Sequence, residues 1–234
     1  MAKDLSLIIP AFNEEERIGR TLKTAAEYLT GKYDFDIIVV DDGSSDKTCD
    51  VVETFNRAAR VVRQPRNMGK GAAVRRGMLE SDAAVRIFSD ADLSVPVYEL
   101  PRLYGCLKNG NDVCIGSRAI DYSMIKKHQP FYREMMGRTF NHIVQALVLK
   151  GIKDTQCGFK GFTAKAAETI FPETKIDGFG FDVEILYLAK KSGLNIKELP
   201  VEWYNDERST VSPFADSLIM LKEIISIKKL HSNK

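Results

Sequence analysis

The stretch AAVRIFSDAD, residues 83–92, decides the fold. Its first part is rich in β-branched and aromatic side chains, which predicts a buried strand. The strand ends in Asp90-Ala91-Asp92, so two carboxylates are expected at the carboxyl edge of a sheet, where open α/β sheets bind ligands. Such hard oxygens suit Mg²⁺ or Mn²⁺ held together with a substrate phosphate. Taken alone, the two acids also fit a solvated loop, so the interpretation depends on the rest of the chain.

Strands and helices alternate before this stretch. The strands are predicted at 5–9, 36–40 and 59–63. Pro10 is expected to close the first strand because it cannot extend a ladder, and Asn13 is expected to cap the next helix. The alternation predicts an α/β fold with a Rossmann-like, mostly parallel sheet and helices on both faces. One edge of this sheet is then shared by the turns at 10–13, 41–45 and 90–93.

The second half of the chain is less regular and ends in a basic amphipathic segment. Helices are predicted at 96–107, 133–149 and 181–191, and strands at 112–116 and 196–203. A last helix is predicted, with an apolar face formed by Phe214, Leu218, Leu221 and Ile225 and with several lysines nearby. We therefore expect a main domain over 1–212 and an amphipathic basic helix over 213–234. The segments 133–149 and 213–234 are candidates for a membrane-facing position, and packing on the domain is an equal alternative.

Composition narrows the class of protein. The chain has 234 residues, 44% of them hydrophobic and 28% charged, which is typical of a globular domain. A net charge of +2 gives no indication of nucleic-acid binding. The four cysteines form no close pair in the sequence, which predicts reduced thiols. We find no signal peptide and no apolar run of the roughly 20 residues that a membrane span needs, and we expect a cytoplasmic location.

Four motifs resemble, in order and spacing, the family 2 glycosyltransferases of the GT-A fold. They are IIPAFNEE at 8–15, VVDDGSSD at 39–46, NMGKG at 67–71 and DAD at 90–92. Two later runs, GSR at 116–118 and DTQCGFK at 154–160, are similar to the branch that uses polyprenyl phosphates. Within that branch the sequence is most similar to the dolichyl-phosphate β-glucosyltransferases, and next to the dolichyl-phosphate mannose synthases.

The resemblance implies that the first two loops bind the nucleoside of a nucleotide-sugar donor. Pro10, Ala11, Glu15 and one of Asp41 and Asp42 are expected to line this pocket, since carboxylates accept hydrogen bonds from base N–H and ribose hydroxyl groups. Two alternatives stay open. Glu15 also fits a role in the first turn of a helix, where it complements the dipole, and Asp41 also fits a scaffold role.

The diphosphate of the donor is expected beside the glycine-rich turn and the paired aspartates. By resemblance, its contacts are Gly69, Lys70, Asp90 and Ala91. The glycines at 69 and 71 would let the backbone approach the nucleotide, and the lysine would be a point charge for phosphate. Asp92, with Asp90, is expected to bind Mg²⁺ or Mn²⁺. Ser94 stands where mannose synthases often have a glutamine, so water or phosphate oxygens are expected instead of a third protein ligand.

The acceptor side is implied by the later motifs. Acceptor-phosphate contacts are expected from Arg118, Arg133, Arg138 and Gln156, because guanidinium groups bind phosphate through a planar fork. Asp154 is expected to orient the acceptor more than to remove a proton. The residues expected to carry catalysis are therefore Asp154, Asp92 and Arg118.

Together these motifs predict an inverting glycosyltransferase that moves a hexose from a nucleotide-sugar, with UDP-glucose favoured, to a polyprenyl or dolichyl phosphate. The alternatives are transfer to a saccharide or other soluble hydroxyl, with Asp154 or Glu184 as base, and a nucleotide-sugar binding module without turnover. Glu184 is otherwise expected on the surface. A lipid acceptor implies contact with the inner face of a membrane, either as a peripheral protein or through a separate membrane subunit.

Overall fold

The structure is a computed structural model that describes residues 3–55, 59–206 and 215–232, with side chains from 218 onward in the last range. Its strands are β1 Leu5–Ala11, β2 Phe35–Asp41, β3 Ala59–Arg63, β4 Val85–Ser89, β5 Val113–Ser117, β6 Ile125–Lys127, β7 Phe159–Thr163, β8 Ile196–Pro200 and β9 Trp203–Tyr204. Seven strands of the described ranges form one sheet in the order β3-β2-β1-β4-β7-β5-β8. All neighbours are parallel except β7, which is antiparallel to β4 and β5. A second, small sheet consists of β6 and β9.

Helices connect the strands. They are α1 Ile18–Leu29, α2 Thr48–Thr54, α3 Lys70–Glu80, α4 Leu100–Lys108, α5 Phe131–Leu147, α6 Ala164–Ile170, α7 Phe181–Lys191 and α8 Ala215–Leu230. The first three are crossovers between parallel strands, which is the arrangement that strand–helix alternation predicts. The predicted α/β fold with a mostly parallel sheet is therefore confirmed.

Both faces of the sheet are covered, because successive side chains of a strand point to opposite sides. Ile8 of β1 packs into one core with side chains of α3, α6 and α7. Leu7 and Ile9 of the same strand pack into a second core with side chains of α1 and α4. A strand buried on both faces has a continuous run of apolar residues in its sequence. This is why β1, β2 and β4 can be predicted from the sequence.

The end of β1 differs from the prediction. Pro10 does not close the strand, which continues to Ala11 with Pro10 aligned to Val40 of β2. On its other side, β1 is aligned with β4 only as far as Ile8 and Phe88. Pro10 therefore lies where one neighbouring strand has already ended, and a residue without an N–H group is tolerated there.

The start of α1 also differs. Asn13 is not its N-cap, because the helix begins at Ile18 and the capping position is Arg17. Asn13 instead has a φ of 55°, and its side-chain oxygen accepts a hydrogen bond from the Ser45 backbone at 2.9 Å. A short polar side chain is one of the few that adopt this left-handed conformation readily. The acids 14–16 consequently lie before the helix and not in its first turn.

A disulfide joins Cys106 of α4 to Cys114 of β5, whereas Cys49 and Cys157 are free. The expectation of four reduced thiols is therefore wrong. The two partners are eight residues apart in the sequence, and the short turn between helix and strand brings them together. The argument from reduced cysteines for a cytoplasmic location does not hold.

The C-terminal helix α8 packs on the domain through one of its two apolar sides. Met220, Ile224 and Ile227 are buried against the core, while the predicted face is turned outward, with Leu218 and Ile225 exposed. The expected boundary at 212–213, and Phe214, lie outside the described residues. No helix within the described ranges is both long and apolar enough to span a membrane.

Candidate active site

The carboxyl ends of β1, β2 and β4 meet at one edge of the sheet, as the strand pattern predicts. The backbone N–H of Asp42 donates to the Ala11 carbonyl at 2.8 Å, which ties the loops after β1 and β2 together. The loop after β4 carries Asp90, Ala91 and Asp92 at the same edge. Parallel strands make such an edge a ligand-binding crevice.

The first two loops interlock through Glu15. Its side chain is exposed, and its Oε2 accepts a hydrogen bond from the Lys47 backbone at 2.8 Å, while its own N–H donates to Asp46 at 3.1 Å. Glu15 therefore braces the loop after β2 and does not complement the dipole of α1. Pro10 and Ala11 lie at the end of β1 beneath this loop pair.

The two aspartates at the end of β2 are both buried, and Asp42 has a scaffold role. One of its oxygens accepts from the Gln64 amide at 2.6 Å and from the Met68 backbone at 2.7 Å, and the other accepts from the Gly69 backbone at 2.8 Å. These bonds hold the glycine-rich turn. Asp41 accepts from the Ser44 backbone at 3.3 Å.

The glycines at 69 and 71 are packed against the backbone of the segment before α7. Gly69 has a φ of 103°, and a Cβ there would overlap the Asp177 carbonyl oxygen. A Cβ at Gly71 would lie 2.6 Å from the Ile176 carbonyl oxygen, and the Gly71 N–H donates to Asp177 at 2.7 Å. Both glycines are therefore required by the close approach of the segment before α7, and the expected approach to a nucleotide stays a prediction.

Lys70 and the paired aspartates form a compact charged group. The Lys70 ammonium lies 2.6 Å from Asp90 Oδ1, and Asp92 Oδ1 accepts from the Ser94 backbone at 2.8 Å. Burial and the neighbouring charge of Asp90 raise the pKa of Asp92 above its ordinary value. Burial lowers the pKa of Lys70, but Asp90 and Asp182 outweigh it, so this pKa is raised and the lysine stays charged.

This group fits a hard divalent cation. Asp90 and Asp92 supply carboxylate oxygens, and their mutual repulsion would be relieved by a cation between them. No group of three or more His, Cys, Asp or Glu side chains in the described ranges is arranged to hold a metal ion. Two protein ligands match ions such as Mg²⁺, which keep waters and bind substrate phosphates. Asp92 also lines a cavity of about 480 Å³ together with Ser94, Lys127, Tyr204, Asn205 and Asp206.

A second cavity, of about 410 Å³, lies between α5 and the segment before β7. All the residues predicted for the acceptor side line it, namely Arg118, Arg133, Arg138, Asp154 and Gln156. They come from three separate parts of the chain. We call this space the arginine cavity.

Arg118 and Asp154 form a bidentate ion pair at its base. The guanidinium donates from Nε to Oδ2 at 2.7 Å and from Nη2 to Oδ1 at 2.9 Å, and the Arg118 backbone N–H donates to Oδ2 as well. Burial alone would raise the pKa of Asp154, but Arg118 lowers it to about 2. Asp154 is consequently a fixed carboxylate whose oxygens already accept hydrogen bonds. Trp203 is buried beside this pair, and the Arg118 guanidinium lies 5.6 Å from the centre of its ring.

Glu184 is not the surface residue that was expected. It is 0% exposed and accepts hydrogen bonds from the Lys175 and Ile176 backbones at 2.9 and 3.0 Å. Its third partner is His231, whose Nε2 lies 2.7 Å from Glu184 Oε1. Glu184 therefore has a structural role, joining the end of α8 to the segment before α7.

Sequence reasoning missed one buried ion pair, Lys160 with Asp182. The signal was present, since a lysine inside the apolar strand β7 is unusual. Its partner lies in a different element, which the sequence alone does not reveal.

A mostly parallel sheet with helices on both faces, and with Asp-x-Asp at its carboxyl edge, agrees with the GT-A fold that the sequence motifs indicated. The model of the family described as Glycosyl transferase family 2 matches residues 6–171. The chain therefore belongs to glycosyltransferase family 2.

Relatives with similar sequences cover almost the whole chain. A dolichyl-phosphate beta-glucosyltransferase of Dictyostelium discoideum is 37% identical over 96% of this chain and 73% of its own length. The Homo sapiens protein of the same name is 32% identical over 97% of this chain and 75% of its own. Among solved structures, glucosyl-3-phosphoglycerate synthase from Mycobacterium tuberculosis with Mn²⁺ and UDP-glucose has a TM-score of 0.75 at 20% identity, covering 96% of this chain and 79% of that one. At that identity the likeness is evidence for the fold alone.

Proposed function

We propose that this glycosyltransferase moves glucose from UDP-glucose to a dolichyl or other polyprenyl phosphate, with inversion at the sugar carbon. The relatives named for dolichyl phosphate support the acceptor and the sugar. The observation that carries the proposal is the arginine cavity, which Arg118, Arg133 and Arg138 line. The charge of Asp90 acts on Arg118, which links this cavity to the Asp90–Asp92 loop.

On the donor side, Pro10, Ala11, Glu15 and Asp41 are proposed to contact the nucleoside. Lys70 is proposed to donate to the diphosphate while it keeps a hydrogen bond to Asp90. An ammonium group has three donor hydrogens, so it can bind both partners. Asp90 and Asp92 would hold Mg²⁺ or Mn²⁺, which would offset the charge that develops on the departing diphosphate.

On the acceptor side, the arginines are suited to a phosphate. Arg118 uses Nε and Nη2 of its guanidinium for Asp154, and Nη1 is proposed to donate to a phosphate oxygen. Arg133 and Arg138 come from the facing helix α5. Charge-assisted bonds of this kind would position the acceptor oxygen against the sugar carbon.

The reaction follows from the acceptor's own charge. A phosphate monoester has a second pKa of about 6, so it is largely a dianion at neutral pH. One of its oxygens forms the new bond to the sugar carbon while the bond from that carbon to UDP breaks, and the electron pair leaves with UDP. No proton has to be removed from the nucleophile. The alternative, a hydroxyl acceptor with Asp154 as base, is disfavoured because that carboxylate has a pKa of about 2 and is held by Arg118.

Contact with a membrane surface is the second part of the proposal. Phe131 is 79% exposed at the start of α5, and Tyr132 and Met135 are exposed beside it. The same helix brings Arg133 and Arg138 to the cavity, so an apolar surface borders the site proposed for the lipid phosphate. A second apolar surface is exposed on α8 by Leu218, Ile219 and Ile225. We infer that these surfaces rest on the inner face of the membrane, because a charged nucleotide-sugar does not cross the bilayer.

The test is a transfer assay with purified protein. Radiolabelled UDP- and GDP-sugars are incubated with a short-chain polyprenyl phosphate in detergent, with Mg²⁺, Mn²⁺ or chelator. We expect label from UDP-glucose to enter the organic phase only when metal is present. Label released only as free glucose would contradict the lipid acceptor, and transfer to added saccharides but not to the lipid would support the alternative reaction.

A further inference from the structure

A buried ion pair lies beneath the paired aspartates and has no part in the chemistry proposed above. Lys160 is 0% exposed, and its ammonium contacts the Asp182 carboxylate at the start of α7. The ammonium also donates to the Cys157 carbonyl at 2.7 Å and lies 5.3 Å from the centre of the Phe88 ring. Buried ion pairs are often no more stabilising than apolar side chains of the same volume, so stability alone does not account for this one.

The pair is connected to Asp90 through the two successive peptide units on either side of the Gly158 Cα. The Cys157 carbonyl that Lys160 holds belongs to the peptide bond before Gly158. The Gly158 carbonyl accepts a hydrogen bond from the Asp90 backbone at 3.2 Å. A Cβ at Gly158 would overlap the Asp90 carboxylate, so this carboxylate rests directly on the Gly158 backbone.

The same pair faces Lys70. Lys70 lies 2.6 Å from Asp90, and Asp182 is a further negative group that stabilises its charge. Asp182 therefore faces two lysines, one in contact and one at longer range. The charged group at the sheet edge and the buried pair are thus one connected set of alternating charges.

We propose that Lys160 and Asp182 are positioning residues, which hold the Cys157 carbonyl and, through the Gly158 backbone that follows it, position Asp90 and Lys70 for the donor diphosphate and its cation. Both side chains are buried, so they act through Asp90 and do not touch the donor. The inference rests on the proposed function only in that the donor is a nucleoside diphosphate bound with a divalent cation.

The experiment removes both charges at once. The double variant Lys160→Met and Asp182→Asn keeps similar side-chain volumes and leaves no unpaired buried charge. The dissociation constant of Mn²⁺ is measured by electron paramagnetic resonance at saturating UDP, next to the melting temperature and the steady-state kinetics. Loss of an outer-shell partner typically weakens metal binding by about 10- to 100-fold. We expect at least a tenfold rise in this constant and a similar fall in kcat, with KM for the lipid phosphate unchanged.

Arg86→Met is the matched control. Arg86 is a buried cation on β4, and it donates to the Met78 and Ala83 carbonyls and to Glu168, away from the sheet edge. We expect this variant to melt at a lower temperature while its Mn²⁺ constant stays as in the wild type. If the double variant shows the same behaviour, the buried pair is only structural and the proposal is wrong.

Gly158→Ala tests the same connection without changing the pair. The added methyl group must displace the Asp90 carboxylate, so we expect weaker Mn²⁺ binding here too. Wild-type binding in this variant would also overturn the proposal, even if the double variant does not fold. The Mn²⁺ dissociation constant, which decides the outcome for both variants, is measured without transfer to the lipid phosphate. A wild-type protein that binds Mn²⁺ and UDP but does not glucosylate the lipid would contradict the proposed function and leave this inference standing.

Discussion

Replacing Asp154 with asparagine separates the two roles that this carboxylate has been assigned. In the structure both of its oxygens accept hydrogen bonds from Arg118. The pKa of Asp154 falls from 3.8 to about 2, which corresponds to roughly 2.5 kcal/mol of preference for the charged form. Removing one partner of a buried pair destabilises by about 3 kcal/mol or more. We therefore expect Asp154→Asn to lower the free energy of unfolding by about 3 kcal/mol at neutral pH.

The pH dependence has a definite sign. Because the folded-state pKa is below the unfolded value near 3.8, the stabilisation is complete above that value and is lost as the pH falls toward about 2. Urea unfolding of the wild type and Asp154→Asn should therefore differ by a constant amount between pH 6 and pH 9.

The rate effect distinguishes an orienting residue from a base. If Asp154 acts by holding Arg118, we expect a loss in kcat of about tenfold, whereas loss of a general base lowers rates by about 10²- to 10⁴-fold. A double-mutant cycle with Arg118→Gln is the sharper assay, since residues that act as a unit are not additive. We expect Asp154→Asn to add little once Arg118 is replaced. A further loss of about a thousandfold in that background would refute this reasoning and favour proton removal by Asp154.

Three further predictions follow from the structure. Asp92→Asn should keep the wild-type melting temperature and lower transfer by about a thousandfold, as removal of a charge-stabilising group does; wild-type turnover in chelator would contradict the metal site. Phe131→Ser with Met135→Ser should lower partition onto phosphatidylcholine vesicles by about tenfold or more, from the loss of roughly 1.5–3 kcal/mol per apolar side chain, and unchanged sedimentation with vesicles would argue against this surface. Cys106→Ala with Cys114→Ala should lower the free energy of unfolding by about 2.5 kcal/mol for a short loop; native protein in which all four thiols react with an alkylating agent would show that the disulfide is absent.

The elements that could be predicted are those whose information is local. β1, β2 and β4 are buried on both faces, so each is a continuous apolar run that periodicity reveals. Parallel strands then bring the loops at Ala11, Asp42 and Asp90 to one edge, and this requires nothing beyond their order. Predicted element boundaries were wrong where a loop depends on a partner far along the chain. Asn13 is an example, because its side-chain oxygen accepts from the Ser45 backbone and does not cap a helix.

The roles that could not be predicted depend on partners far along the chain. Gly69 is a glycine because Asp177 lies against it, and Asp42 is a scaffold because its oxygens hold the turn that contains Gly69. Glu184 looks like an ordinary helix-surface acid in sequence, but the segment before α7 and His231 enclose it.

By itself the sequence determined the class of fold and the carboxylate edge, because these follow from local patterning. The arginines that line the arginine cavity were indicated only by the resemblance to a family. The tertiary structure decided what each charge can do. It paired Arg118 with Asp154 at 2.7 Å and buried Lys160 against Asp182 beneath Asp90. A carboxylate can be a base, a metal ligand or a structural hydrogen-bond acceptor, depending on its pKa and its hydrogen-bond partners. Both are set only when distant segments meet in a low-dielectric interior.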